Sequence, residues 1–190
     1  THVFVQAGVG ALATAVVGYL ANVYGASDQG GPVFVVVEPE NAACIFDTLR
    51  AEDGRIHAVG GDLDTIMAGL ACGEPVTVGV DLLAHCVDFV VSLPDYVAAQ
   101  GMRVLSSPTR AADVGEPADP RIVSGESGAA PFGFAHEVLT DPALAGIQET
   151  LGIDRDSVLL FISTEGDTDR AGFDAVVRDG AHAHPSAPQP

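Results

Sequence analysis

The sequence predicts an α/β protein of three layers, a mostly parallel twisted sheet with helices on both faces. Val33 to Val37 is an unbroken apolar run containing four valines, the pattern of a strand buried on both sides. Strand-like and helix-like segments alternate from the first residues, as in a right-handed βαβ wind. Apolar residues make up 47% of the chain, Trp is absent, and 190 residues without a composition break suffice for one sizeable core.

The opening stretch carries the first chemical signal. Val3 to Val5 reads as a strand and Ala11 to Tyr24 as an apolar helix, with Gly8 and Gly10 in the turn between them. A phosphate reaches the backbone only where no Cβ intrudes, and the N–H groups of such a turn, with the positive end of the helix, point at the anion. The same glycines also suit a sharp turn with close helix packing and no ligand. Gly8, Gly10 and Ala13 fit the dinucleotide fingerprint as well, with Glu38 ending the next strand at a spacing suited to a ribose hydroxyl. A nicotinamide-dependent oxidoreductase therefore stands beside other phosphate binders at this point.

Asn41 is placed to cap a helix running to Arg50, with Ala42, Ile45, Phe46 and Leu49 at helical spacing. Thr65 to Cys72 reads as a short helix closed by Gly73 and Pro75, and Thr77 to His85 as another. Val87 to Ser92 gives a third strand, and Pro94 starts the helix that follows. Ser106 to Asp119 is the one long loop. Ile122 to Gly128 precedes an apolar segment, Phe132 to Leu139, and Pro142 to Leu151 reads as an amphipathic helix. Val158 to Ile162 is the last strand, followed by a polar loop through Asp169 and a helix from Arg170 to Arg178. Residues 1–180 form the folded unit, and residues 181–190, AHAHPSAPQP, are expected to be a disordered tail.

Charge narrows the function. There are 26 acidic residues against 8 arginines, no lysine, and a net charge of −18, which repels nucleic acid and anionic membrane. An anionic ligand has to be held locally, by backbone dipoles. Residues 3–27 carry no charge, yet the polar Gln6, Thr14 and Asn22 and the lack of a basic flank argue against a membrane span or a secretory signal. A cytoplasmic location is the expectation. Cys44, Cys72 and Cys86 show no metal-ligand spacing and are expected reduced, with a Cys44–Cys72 pair left open.

In an open α/β sheet, ligands gather beyond the carboxyl ends of the strands. The ends at Gln6 to Gly10 and at Ser163 to Asp169 flank one crevice if their strands are neighbours. Ser163 has a hydroxyl able to donate to a neutral heteroaromatic nitrogen, or simply to cap the following turn. Glu126, between Gly125 and Ser127, is either a residue lining the site or an acid favoured by the first turn of a helix.

Four stretches, QAGVGALA, GGDLDTIMAGLACGEP, RIVSGESGA and FISTEGDTD, occur in that order over nearly all of residues 1–180. Together they resemble the C-terminal part of the diaminopropionate ammonia-lyases, pyridoxal-phosphate enzymes of the tryptophan-synthase-β-like fold (fold type II). The resemblance implies that Gln6, Ala7, Gly8, Val9 and Gly10 form the loop on the cofactor phosphate. It implies that Ser163, followed by Thr164, meets the pyridine nitrogen, and that Glu126 lines the site near the cofactor ring. It also implies a small amino-acid substrate, β-elimination of 2,3-diaminopropionate to pyruvate and ammonia, and a homodimer in the complete enzyme.

The departure from that pattern is the missing lysine. The Schiff-base residue and the aspartates acting on substrate lie, in the family, upstream of Thr1, so the chain is expected to be a fragment without catalytic residues and inactive alone. A non-catalytic relic of the fold is the remaining alternative. A neutral Ser163 partner would leave the ring nitrogen largely unprotonated, which suits elimination.

Overall fold

A computed structural model describes residues 1–25, 30–107 and 119–185. Four parallel strands, β1 (His2–Gln6), β2 (Val33–Pro39), β3 (Phe89–Leu93) and β4 (Leu159–Phe161), lie in the order β3-β2-β1-β4. Every residue of β1 is buried because it is flanked by β2, paired through Gln6 and Val37, and by β4, paired through Phe4 and Phe161.

The pleat sends alternate residues to two cores. Val3, Val5, Phe34 and Val36 face α1 (Ala11–Tyr24), α2 (Cys44–Arg50) and α3 (Thr77–Cys86). Phe4, Val35 and Val37 face α4 (Asp95–Ser106), α5 (Glu126–Thr140) and α6 (Ala145–Leu151). The three layers anticipated from the valine runs are therefore present. Each fully buried valine or phenylalanine contributes on the order of 1.5–3 kcal/mol. On the outer side, α7 (Arg170–Val177) packs Phe173 and Val176 against Ala99, Met102 and Ala129 of α4 and α5. Helices α4 and α5 meet closely at Gly101, where a Cβ would lie 2.5 Å from the Ala129 carbonyl oxygen.

Several elements differ from expectation. Asn41 does not cap α2; it lies in a 3₁₀ turn, Glu40–Ala42, and donates to the Asp64 carbonyl at 2.8 Å. The buried carboxylate of Glu38 takes the capping role, accepting from the amides of Ile45 at 2.9 Å and Phe46 at 2.7 Å. Thr65 to Cys72 is not a helix beyond the 3₁₀ turn Ala68–Leu70. Asp95 ties down its beginning, accepting from Thr65 Oγ1 at 2.6 Å and from the Ile66 amide at 3.2 Å, and so short a segment with Gly69 inside it does not offset helix nucleation.

The segments on either side of Pro131 form one helix, α5, which runs through the proline at the loss of one backbone hydrogen bond. Pro142 to Leu151 is divided into a 3₁₀ turn, Pro142–Leu144, and α6. Most of the long loop, residues 108–118, lies outside the described residues.

Residues 181–185 fold back on the body: the Arg103 guanidinium donates to the Ala181 carbonyl, and His184 stands edge-on to Tyr96 with ring centroids 4.5 Å apart. Residues 186–190 lie outside the described residues. Among the described residues no helix is long and apolar enough to cross a membrane.

Candidate cofactor site

The site begins where β1 ends. Ala7 still bonds to the sheet through the Val37 carbonyl at 2.9 Å, and the chain then leaves it at Gly8. Gly10 turns into α1 with φ +89°, a left-handed conformation that glycine adopts at little cost. No side chain caps α1 and no acid lies in its first turn. Among the described residues nothing accepts from the amides of Gly8, Val9, Gly10, Ala11 or Leu12, so the positive end of the helix is open.

These amides border a cavity of about 300 Å³. Gly69, Leu70 and Cys72 close one side, tied to the glycine loop by the bond from the Val76 amide to the Val9 carbonyl at 2.7 Å. Gly8 fits against them only without a side chain: a Cβ there would stand 3.0 Å from Cys72 Sγ, 3.1 Å from Leu70 Cα and 3.2 Å from the Gly69 carbonyl oxygen. Ser127, Thr164 and Glu165 complete the opposite side. The sequence stretch that reads as a helix from Thr65 is thus a wall of the site.

Because β1 and β4 are neighbours, their loops do share one crevice. Gln6, 1% exposed, donates through Nε2 to the Ile162 carbonyl at 3.0 Å and to Thr164 Oγ1 at 2.8 Å. Its Oε1 and the hydroxyl of Ser127 are buried without a partner in the protein. Glu165 is the one carboxylate on the cavity, and its Oε2 is turned to the Ser127 amide at 2.7 Å, capping α5.

Ser163 stands at the open end of β4, its Oγ 2.8 Å from the Oγ of fully buried Ser124. A Cβ on Gly128 would lie 2.8 Å from Ser124 Oγ and 3.2 Å from Ser163 Oγ, so this glycine makes room for the pair. Glu126, half-buried, is not on the glycine cavity. Its carboxyl lies toward the start of α7, where a Cβ on Gly172 would be 3.5 Å from Oε1. Burial, then the charges of Glu165 and Asp169, push its pKa upward.

Behind the loop, Glu38 is fully buried, and desolvation lifts its pKa to about 7 despite the amides it accepts from. Both of its oxygens are engaged, which removes it as a ribose ligand and corrects the dinucleotide reading. Cys44 Sγ lies 3.6 Å from the Gly8 carbonyl and 3.8 Å from Glu38 Oε1; burial and the adjacent Glu38 push this thiol up to about 12. Cys44, Cys72 and Cys86 are free thiols.

The sequence did not single out Gly69, Leu70, Cys72, Ser124, Ser127 or Glu165 as site residues. All lie within the motif stretches quoted above, which is the one signal that could have found them.

Unpartnered amides at a helix start, a glycine wall that a Cβ would crowd and an orphaned buried hydroxyl all fit a phosphate ester. The fold and the cavity define an α/β protein of the kind that holds a phosphorylated cofactor at its strand ends. The family model "Pyridoxal-phosphate dependent enzyme" matches residues 1–140, and the chain belongs to that family. The diaminopropionate ammonia-lyase of Escherichia coli K12 is 46% identical over 96% of this chain, and that of Salmonella typhimurium LT2 is 36% identical over the same share. The chain spans 43% of the length of either relative. The E. coli enzyme solved with an aminoacrylate-PLP azomethine reaction intermediate superposes with a TM-score of 0.81 at 45% identity, covering 96% of this chain and 43% of that one. The cofactor class anticipated from the motifs is therefore pyridoxal phosphate.

Proposed function

We propose that this chain is the phosphate- and ring-nitrogen-binding part of a pyridoxal-phosphate ammonia-lyase that eliminates ammonia from 2,3-diaminopropionate. The observation that carries the reading is the 46% identity, over nearly the whole chain, to enzymes named for that reaction, together with the open glycine-loop cavity. In this reading residues 1–180 are the cofactor-binding unit and residues 181–190 an appendage to it. The complete enzyme works in the cytoplasm as a homodimer on a small amino acid.

Bound pyridoxal phosphate supplies an electron-withdrawing ring that stabilises negative charge developing at the substrate α-carbon. The amides of Gly8, Val9 and Gly10 and the first turn of α1 hold its phosphate without any cation, which matters in a chain of net charge −18. Gln6 and Ala7 carry the loop from the sheet, and Gln6 fixes the β4 loop through Thr164. Ser163 offers its hydroxyl to the ring nitrogen. Glu126, raised in pKa and set back from the cavity toward the start of α7, would act on the ring through its field. The proton transfers at substrate belong to residues outside this chain, which has no lysine.

The test is an assay of the complete gene product. It should release pyruvate and ammonia from 2,3-diaminopropionate, and the 190-residue chain alone should release neither. Turnover of serine or threonine with none of diaminopropionate would overturn the substrate assignment.

A further inference from the structure

We propose that Ser124 is a positioning residue that sets the direction of the Ser163 hydroxyl and thereby restricts the site to a neutral heteroaromatic nitrogen. The inference rests on the reading of Ser163 as the partner of the cofactor ring.

Ser124 is 0% exposed, and among the described residues the one hydrogen-bond partner of its Oγ is Ser163 Oγ at 2.8 Å. A buried hydroxyl that donates to nothing leaves a desolvated proton, so Ser124 donates and Ser163 accepts. Each hydroxyl has one proton. The Ser163 proton is then left for another acceptor, and within the protein that is the Glu165 carbonyl at 3.5 Å, at the outer limit of a hydrogen bond. Ser163 is exposed at the strand end, so a ring nitrogen with a free lone pair competes well for this proton. A protonated nitrogen would need Ser163 to accept, leaving the Ser163 proton with only the long contact to Glu165. Gly128 preserves the arrangement, since a Cβ there would sit 2.8 Å from Ser124 Oγ.

The experiment titrates the chain with pyridoxine 5′-phosphate, which lacks the aldehyde and binds without a lysine, and follows ring ionisation by absorbance against pH. In the wild type the bound ring nitrogen should protonate only at low pH. Ser124→Ala frees Ser163 to turn and accept, raising the apparent pKa of the bound nitrogen by about one unit, a tenfold gain in proton affinity. Ser124→Cys, close in size and a poor donor, should move the same way and guards against misfolding of the alanine variant. Glu165, Glu126, Asp167 and Asp169, the acids on the segments that carry the pair, are common to all variants and cancel in the comparison. If Ser163→Ala shifts the titration and both Ser124 variants leave it unchanged, the inference fails while the ring-nitrogen reading stands. If Ser163→Ala also has no effect, or the wild type binds no probe, the reading itself fails and takes the inference with it.

Discussion

Gln6 Nε2 donates to Thr164 Oγ1 at 2.8 Å, joining the ends of two strands whose positions in sequence differ by more than 150 residues. The same nitrogen donates to the Ile162 carbonyl, so one buried amide sets the width of the crevice between the glycine loop and the β4 loop. Replacing Gln6 with Leu removes both bonds and leaves the Ile162 carbonyl without its partner. The expected loss is about 1–3 kcal/mol of stability, read by urea unfolding, with weaker binding of pyridoxine 5′-phosphate.

Gly8 and Gly10 should separate binding from stability. Gly8→Ala puts a methyl against Leu70 Cα and the Gly69 carbonyl, backbone atoms that must shift the cavity wall. Probe affinity should fall at least about tenfold. Gly10→Ala places a side chain at φ +89° with Ile45 Cδ1 2.7 Å away, and should cost about 1–2 kcal/mol of stability through the backbone itself. Calorimetric binding and thermal melts of the two variants check this contrast.

The strands and the glycine turn were legible because each is written in local sequence: valine runs have one reading, and a glycine pair between strand and helix has few. The parallel pairing of β1 with β4 was legible only as a condition. The wall at Gly69 to Cys72 was not, because the segment leading into it is held by Asp95, a residue far along the chain whose side chain captures Thr65 and Ile66. Glu38 was misread for a similar reason. An acid at a strand end suits a ribose by its position, and only the fold shows that the start of α2 comes close enough to use both of its oxygens.

Glu38 gives a pH dependence of definite sign. Its pKa is about 7 in the folded chain against an ordinary 4.5, so the native state binds the proton more tightly than the unfolded state. Its contribution to stability is full below about pH 4.5 and is lost as pH rises through 7. Glu38→Gln should abolish this component, flattening the stability profile between pH 5 and 7 by up to about 1.4 kcal/mol per pH unit. It should also lower stability at pH 5, because an amide offers one acceptor where α2 presents two N–H groups. Urea titrations of both proteins across that window decide it; equal slopes would show that Glu38 titrates normally.

Glu126 is half-buried near Glu165 and Asp169, and the raised pKa marks its charged form as disfavoured. Glu126→Gln should therefore raise the melting temperature slightly at alkaline pH, and the gain should shrink as pH falls and the glutamate takes up its proton. A change in the absorbance of bound pyridoxine 5′-phosphate in the same variant would support its place beside the ring, whereas an unaltered spectrum would remove it from the site.

The absence of lysine makes the final prediction a matter of covalent chemistry. Pyridoxal phosphate held by the loop amides and Ser163 would be bound through hydrogen bonds and the helix end alone, since there is no lysine amine to condense with its aldehyde and the eight arginines stay protonated. Borohydride treatment of the chain with pyridoxal phosphate, followed by mass spectrometry, should leave no pyridoxyl group on any side chain. Dialysis should remove the cofactor fully. The same treatment of the complete enzyme should label one lysine outside these residues, and a label on a side chain of residues 1–190 would refute the assignment of this chain to the non-covalent side of the site.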